Sequence, residues 1–363
     1  MKLKKLFAGV VAAAMIATMS FPAFAATEPS NLSTNGKIEL KKTYTAVNPS
    51  TQSQAEDFTF IVTAGATVNG KTVQVTGNRD LTTVPEFGTN NQLKKTVLGL
   101  AAGTNNNTGT FTIDPKTELN ITRPGVYYYT VTETKTGTQG VTYAAPLTMK
   151  VTAGYAEDNT NELTYWVALT RDTAETNGLF TKNNKVDQDN AFVNTYEAGT
   201  LVVKKLVRGL DGDREHEFTF TIVLHGQTGT QVTYELNGDK VVDAIGEDGT
   251  LTISNVKLSN DEQFVISNIP YGVTYTISEG TEGYTATAKK DNATATLTTA
   301  DNTASYTNNE GIAAASTTVE FTNSLGGTVD TGVILDNAPY ILMLAVVAGG
   351  AMTLVIKKRR EEE

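Results

Sequence analysis

The sequence predicts an all-β protein built from two tandem β-sandwich domains, and three observations carry that expectation. Thr, Val, Asn, Gly and Tyr are abundant, and long helical periodicities are missing from the middle of the chain. Short segments alternate apolar and polar residues, the period of a half-buried strand. A set of four such segments occurs twice in the same order, which marks an internal duplication. With 363 residues, 39% of them hydrophobic, the chain is long and apolar enough for two compact cores.

In chain order, residues 1–25 read as an export signal. Lys2, Lys4 and Lys5 form a positive start, Leu6 to Met19 an apolar run too short for a membrane anchor, and Ala23-Phe24-Ala25 a small-residue cleavage pattern. The first domain is expected over 26–198. Its markers are GKIELKKTY (36–44), AEDFTFIV (55–62), GVYYYTVTET (125–134) and AFVNTY (191–196). The second is expected over 199–325, with GTLVVKKLVRG (199–209), EHEFTFTIVL (215–224), GVTYTISEG (272–280) and TVEFTNSL (318–325). The longer first copy carries its extra residues mainly in polar stretches such as 100–110 and 153–161, insertions that loops of a β-sandwich tolerate. Residues 326–363 form a C-terminal tail. There a glycine-rich approach containing Asp330-Thr331-Gly332 precedes an uncharged, mostly apolar run from Asn337 to Ile356, long enough to span a bilayer. Lys357, Lys358, Arg359 and Arg360 follow and hold that end in the cytoplasm.

The alternation puts unusual residues among the core positions. In GKIELKKTY, Lys42 shares a face with Ile38, Leu40 and Tyr44. In GTLVVKKLVRG both faces are apolar, so alternation alone does not choose between Lys204 and Lys205. Counting from the glycines chooses Lys205, which follows Gly199 as Lys42 follows Gly36. Glu133 lies in line with Tyr127, Tyr129 and Val131, and Glu279 with Tyr275 and Ile277. Asn194 shares a face with Phe192 and Tyr196, and Asn323 with Val319 and Phe321. A buried amine is costly unless paired, neutral or consumed.

For one such residue the ordinary reading is a lysine snorkelling to the rim or a surface carboxylate. Two Lys–Glu–Asn triples in the same order favour chemistry instead. If the first and last strands of each domain are neighbours, the three side chains meet. An apolar pocket lowers an amine's pKa and raises a carboxyl's, giving a nucleophile and an acid able to polarise the asparagine carbonyl. Attack on the amide carbon then expels ammonia and leaves a Lys–Asn isopeptide bond with no outside enzyme.

Other classes fit poorly. The net charge of −10 becomes more negative once the three lysines of 1–25 are removed, and such a surface repels nucleic acid and anionic membranes. There is no cysteine, and only His216 and His225 are available, which argues against a zinc site, a Cys/His pair or a disulfide framework. Asp211, Asp213 and Glu215 read as a solvated turn more readily than as a calcium loop. No phosphate-cradling glycine loop or nucleophile-elbow serine is found, and no cofactor is expected.

The paired K…E…N pattern with EFTF, YTISE and VEFTN resembles the isopeptide-forming Cna B-type domains of Gram-positive surface proteins. With the export signal and C-terminal tail, the whole chain resembles the two-domain backbone pilins of streptococcal type. The resemblance implies an Ig-like, Greek-key sandwich in each domain, with cross-links Lys42–Asn194 and Lys205–Asn323 promoted by Glu133 and Glu279. It also implies a surface fibre attached to the cell wall. A sortase would cleave between Thr331 and Gly332 and join the acyl group to a lysine on the next copy of the chain. Lys185, or else Lys182, occupies the region where that acceptor lies in the family. The usual sorting signal carries a proline before Thr-Gly, which Val329-Asp330-Thr331-Gly332 lacks; this points to a pilus-specific sortase. Tip and base pilins and a host ligand are further implied partners. The rival reading is a wall-anchored adhesin or tip subunit, with the same domains but no acceptor lysine.

Overall fold

The computed structural model describes residues 36–68, 71–78, 80–103, 107–156, 159–171 and 186–326. The export signal, Lys182, Lys185, Thr331, Gly332 and the apolar run 337–356 lie outside them. Among the described residues no helix is long and apolar enough to cross a membrane. Apart from a single 3-10 turn at Gln188–Asn190, the assigned elements are strands, and the chain divides into two compact units whose main boundary falls at Gly199/Thr200, with Asn268–Gly272 grouped with the first.

The first unit contains β1 (Ile38–Ala46), β2 (Glu56–Ala64), β3 (Ala66–Val68), β4 (Lys71–Val73), β5 (Val75–Thr76), β6 (Gln92–Leu100), β7 (Thr108–Ile113), β8 (Gly125–Glu133), β9 (Val141–Thr142), β10 (Leu147–Ala156), β11 (Asn159–Thr170) and β12 (Phe192–Tyr196). One sheet runs β7-β1-β12-β9 and the other β11-β10-β8-β2-β6, with β5 also on β8. Side chains of the two inner faces interlock: Phe60 of β2 stacks on Phe111 of β7 at 4.4 Å between ring centroids and meets Phe192 of β12 at 4.7 Å. Fully burying each such ring removes apolar surface worth about 1.5–3 kcal/mol from water.

In the second unit the strands are β13 (Ala198–Arg208), β14 (Phe218–His225), β15 (Gln231–Leu236), β16 (Asp239–Ala244), β17 (Thr250–Leu258), β18 (Gln263–Pro270), β19 (Thr274–Gly280), β20 (Thr285–Lys290), β21 (Ala293–Ala295), β22 (Thr298–Ala300), β23 (Thr303–Asn308) and β24 (Ser316–Ser324). They form the sheets β16-β15-β18-β13-β24-β20-β21 and β17-β14-β19-β23-β22. Phe220 of β14 and Phe321 of β24 meet edge to face across the core at 5.5 Å. Both units are Ig-like β-sandwiches.

The feature that positions the site is common to both units. The first and last strands are hydrogen-bonded neighbours running parallel, β1 beside β12 and β13 beside β24. A parallel pair cannot be closed by a hairpin, so nearly the whole unit separates its two strands in sequence. Lys42 stands opposite Phe192, and Lys205 opposite Phe321. The asparagine lies two residues beyond the phenylalanine in each case, on the same face of the strand. The two lysines therefore occupy the same register. Beyond β13, Gly209 has a positive φ of 96°, and a Cβ there would collide with the Leu325 carbonyl just past β24, so the close approach of the two strand ends requires glycine.

Two local expectations are corrected. Of residues 153–161, the described ones are strand and not loop. Ala153 to Ala156 continue β10, Asn159 opens β11, and the two strands pair from Thr148/Thr170 to Ala156/Asn159. The outer face of β8 is also covered. Tyr128 is buried in a small cluster with Ala66 and Ala168 beneath the β3–β4 hairpin, so Tyr127, Tyr128 and Tyr129 are all buried and strict alternation fails there.

Candidate functional site

Each unit holds a sealed polar cluster in its apolar core. Lys42, Glu133 and Asn194 are buried, as are Lys205, Glu279 and Asn323. Period-two alternation turns each of them inward together with its aromatic and aliphatic neighbours. Lys204 faces outward, its side chain 35% exposed, and reaches Glu320 at 3.5 Å. Of the two adjacent lysines, Lys205 is therefore the one turned into the core.

In the first unit Lys42 Nζ lies 2.7 Å from Glu133 Oε1. Asn194 Nδ2 donates to the same oxygen at 2.9 Å, and Asn194 Oδ1 accepts from the Ala144 backbone N–H at 2.9 Å. In the second unit Lys205 Nζ lies 2.6 Å from Glu279 Oε1. There both polar atoms of the Asn323 amide are buried without a well-aligned hydrogen bond, although the amide is near enough to Glu279 to favour its ionised form.

The electrostatics follow from burial. Desolvation is the main influence on Lys42 and brings its pKa down to about 8, against the opposing pull of the Glu133 carboxylate. Lys205 is likewise brought to about 8, chiefly by desolvation and against Glu279. Desolvation pushes the Glu279 carboxyl up, with Lys205 acting against it. In the second unit burial therefore favours transfer of the proton from amine to carboxylate, which leaves a neutral nucleophile beside an acid.

One contributor lay in plain view in the sequence without an assigned role. The first phenylalanine of each FTF run packs against the amine: Lys42 Nζ sits 4.3 Å from the centre of the Phe58 ring, and Lys205 Nζ 3.9 Å from that of Phe218. The second phenylalanine pairs with the glutamate strand, Phe60 opposite Glu133 and Phe220 opposite Glu279. The ring face attracts the cationic amine and excludes water from it. The other contributor, the Ala144 N–H, leaves no mark in sequence because every residue but proline carries that group.

The structure thus brings together Lys42, Glu133 and Asn194, and separately Lys205, Glu279 and Asn323. It does not bear on Lys182, Lys185, Thr331 or Gly332. Among the described residues no group of three or more His, Cys, Asp or Glu side chains could hold a metal ion.

Residues 38–197 match the family model described as "Spy0128-like isopeptide containing domain", and residues 199–310 match a domain of unknown function. A curated relative named Pilin, from Streptococcus pyogenes serotype M1, is 27% identical over 336 residues, which covers 89% of this chain and 91% of the relative. Among solved structures, a mutant of the major pilin from Streptococcus pyogenes covers 80% of this chain and 99% of its own, with 23% identity and a TM-score of 0.50. At that identity the likeness speaks for the fold. The chain is thus similar to the streptococcal pilins over most of its length, and its first domain matches the Spy0128-like isopeptide containing domain.

Proposed function

We propose that the protein is the shaft subunit of a sortase-assembled Gram-positive pilus, stiffened by two self-formed bonds, Lys42–Asn194 and Lys205–Asn323. The observation that carries this reading is the repeated triple. Two sealed lysines, each within hydrogen-bond distance of a buried glutamate, stand in the same register against an asparagine-bearing last strand. Glu133 and Glu279 promote the reaction. The chain is otherwise not a catalyst, but a substrate of its sortase. Cleavage between Thr331 and Gly332 joins Thr331 to Lys185 or Lys182 of the next copy, while the apolar run 337–356 holds the precursor in the membrane until transfer. Tip and base pilins complete the fibre, which ends covalently attached to the cell wall.

Each internal bond ties the first strand of a domain to the last, so a pull between the chain ends bypasses the hydrogen-bonded core. Intact mass and peptide mapping of the recombinant mature chain test the internal bonds: the expected result is a loss of two ammonia equivalents, mapped to the two Lys–Asn pairs. A full mass with four free side chains overturns them. A ladder of covalent multimers in denatured cell-wall extract is expected for a shaft; one wall-linked band overturns that role.

A pH signature follows from the lysines. In an Asn323→Ala chain the Lys205 amine persists, with a folded pKa of about 8 against 10.5 unfolded. Between those values the unfolded chain holds a proton that the folded chain has shed, so stability rises with pH. The expected gain from pH 8 to 10 is about 1–3 kcal/mol, read from denaturant midpoints of the second domain. The cross-linked parent has no free amine at this position and should lack that rise.

A further inference from the structure

In the first domain the carbonyl of the reacting amide is held by something other than the glutamate. We propose that the Ala144 backbone N–H is the oxyanion donor for closure of the Lys42–Asn194 bond, and that Arg171 and Tyr143 are positioning residues that fix it. This rests on the cross-linking reading above.

A backbone N–H can only donate, so the atom of Asn194 that faces it at 2.9 Å is the carbonyl oxygen. That fixes the amide's orientation. Nδ2 is turned to Glu133 Oε1, the oxygen that also meets the Lys42 amine. The three reacting parts are therefore separated in space, with the nucleophile and leaving nitrogen on the glutamate and the carbonyl oxygen on the peptide N–H. When neutral Nζ attacks Cγ, the new C–N bond forms and the carbonyl π electrons move to Oδ1, where the Ala144 N–H meets the developing charge. Collapse restores the C=O and breaks Cγ–Nδ2. A proton from Nζ reaches Nδ2 through Glu133, and ammonia leaves. A donor 2.9 Å from the oxygen is at the distance required for oxyanion stabilisation in a dry site.

The peptide is held on both sides. Tyr143 Oη accepts from the Thr138 N–H at 3.1 Å and is hydrogen-bonded to Thr136 Oγ1 at 2.5 Å. Arg171 Nε donates to the Ala145 carbonyl at 3.4 Å, while its Nη2 donates to the carbonyl of Ala191, immediately before β12. Arg171 thus connects the donor loop to the strand that carries Asn194. Pro146 follows Ala145 and restricts it to extended backbone. The second domain offers Asn323 no matching donor among the described residues, since its Oδ1 makes no hydrogen bond. It therefore serves as an internal control within the same chain.

The test is synthesis of the full chain in a cell-free system, with the Ala144 amide replaced by an ester through incorporation of lactic acid. Ammonia loss is then followed over time by mass spectrometry of the two cross-linked peptide pairs. The ester removes the N–H while keeping every side chain, and otherwise weakens only the Tyr143 carbonyl as an acceptor. The expected result is that the first bond closes about 100-fold more slowly or worse, while the second closes at the parental rate. Unchanged closure of the first bond overturns the proposal. Should the ester chain lose the protease resistance of its first domain, Arg171→Lys decides. It keeps the N–H and the positive charge but cannot span both carbonyls, and about 10-fold slower closure is expected in a domain that melts like the uncross-linked parent; an unchanged rate is the overturning outcome. If the parent chain itself loses no ammonia at the first site, the cross-linking reading fails, a result distinct from either of these.

Discussion

An Asn194→Ala chain should melt about 10–20 °C lower in its first domain than the parent, with the second domain unmoved. The bond removed closes a loop of about 150 residues, from Lys42 on β1 to Asn194 on β12. In the chain-entropy treatment of cross-links, a loop of that size restricts the unfolded state by about 5 kcal/mol. For a domain of this size each kcal/mol moves the melting temperature by about 2–4 °C. The substitution also deletes the hydrogen bond that the Ala144 N–H donates to the side-chain carbonyl, worth about 1 kcal/mol. Lys42→Ala should be worse, because it leaves the Glu133 carboxylate buried without its amine. Scanning calorimetry of both variants, with trypsin digestion alongside, measures the effect. A first domain that melts within a few degrees of the parent would mean that the covalent closure contributes little.

The second large effect is chemical. Glu279→Ala should leave the second domain without its bond on any practical timescale, while the first closes normally. Glu279 Oε1 lies 2.6 Å from the Lys205 amine, and burial pushes its carboxyl up, so it is placed to take the amine's proton and return it to the leaving nitrogen. Loss of a positioned acid–base group slows a reaction by about 10²–10⁴-fold. Its removal also leaves the amine buried with no counter-charge, which lowers the stability of the domain that must hold the reactants together. Glu279→Gln separates the two contributions, since it keeps the volume while abolishing proton transfer. The readout is intact mass. One ammonia lost, mapped to Lys42 and Asn194, is expected in both variants; two lost, with Asn323 consumed, would remove Glu279 from the reaction.

Much of this site could be read from the chain because its residues violate a regular pattern. Lys42, Glu133 and Asn194 sit at positions of a period-two alternation that their neighbours fill with Leu40, Val131 and Phe192. The same violation recurs in the second copy, and the glycine count separated Lys205 from Lys204 where alternation could not. Strand adjacency was only a condition in the sequence, because pairing between β1 and β12 is set by contacts across nearly the whole unit. The covered outer face of β8 was hidden for a related reason: a three-residue hairpin strand such as β3 has no periodicity of its own. In the first unit the Asn194 carbonyl oxygen faces the Ala144 N–H while its amide nitrogen faces Glu133, and no side chain announces a backbone donor. Phe58 and Phe218 were visible as parts of a repeated FTF run, yet their stacking against the amines depends on which strand lies across the core.

The parallel pairing of first and last strands has a mechanical consequence that precedes any bond formation. When the unit is pulled by its two ends, tension enters β1 at its beginning and leaves β12 at its end, and in parallel neighbours those points lie at opposite extremes of the ladder. All the rungs between Lys42/Phe192 and Ala46/Tyr196 are then sheared together instead of being unzipped one by one. A domain pulled by its ends is thereby clamped by its topology while its amine is still free.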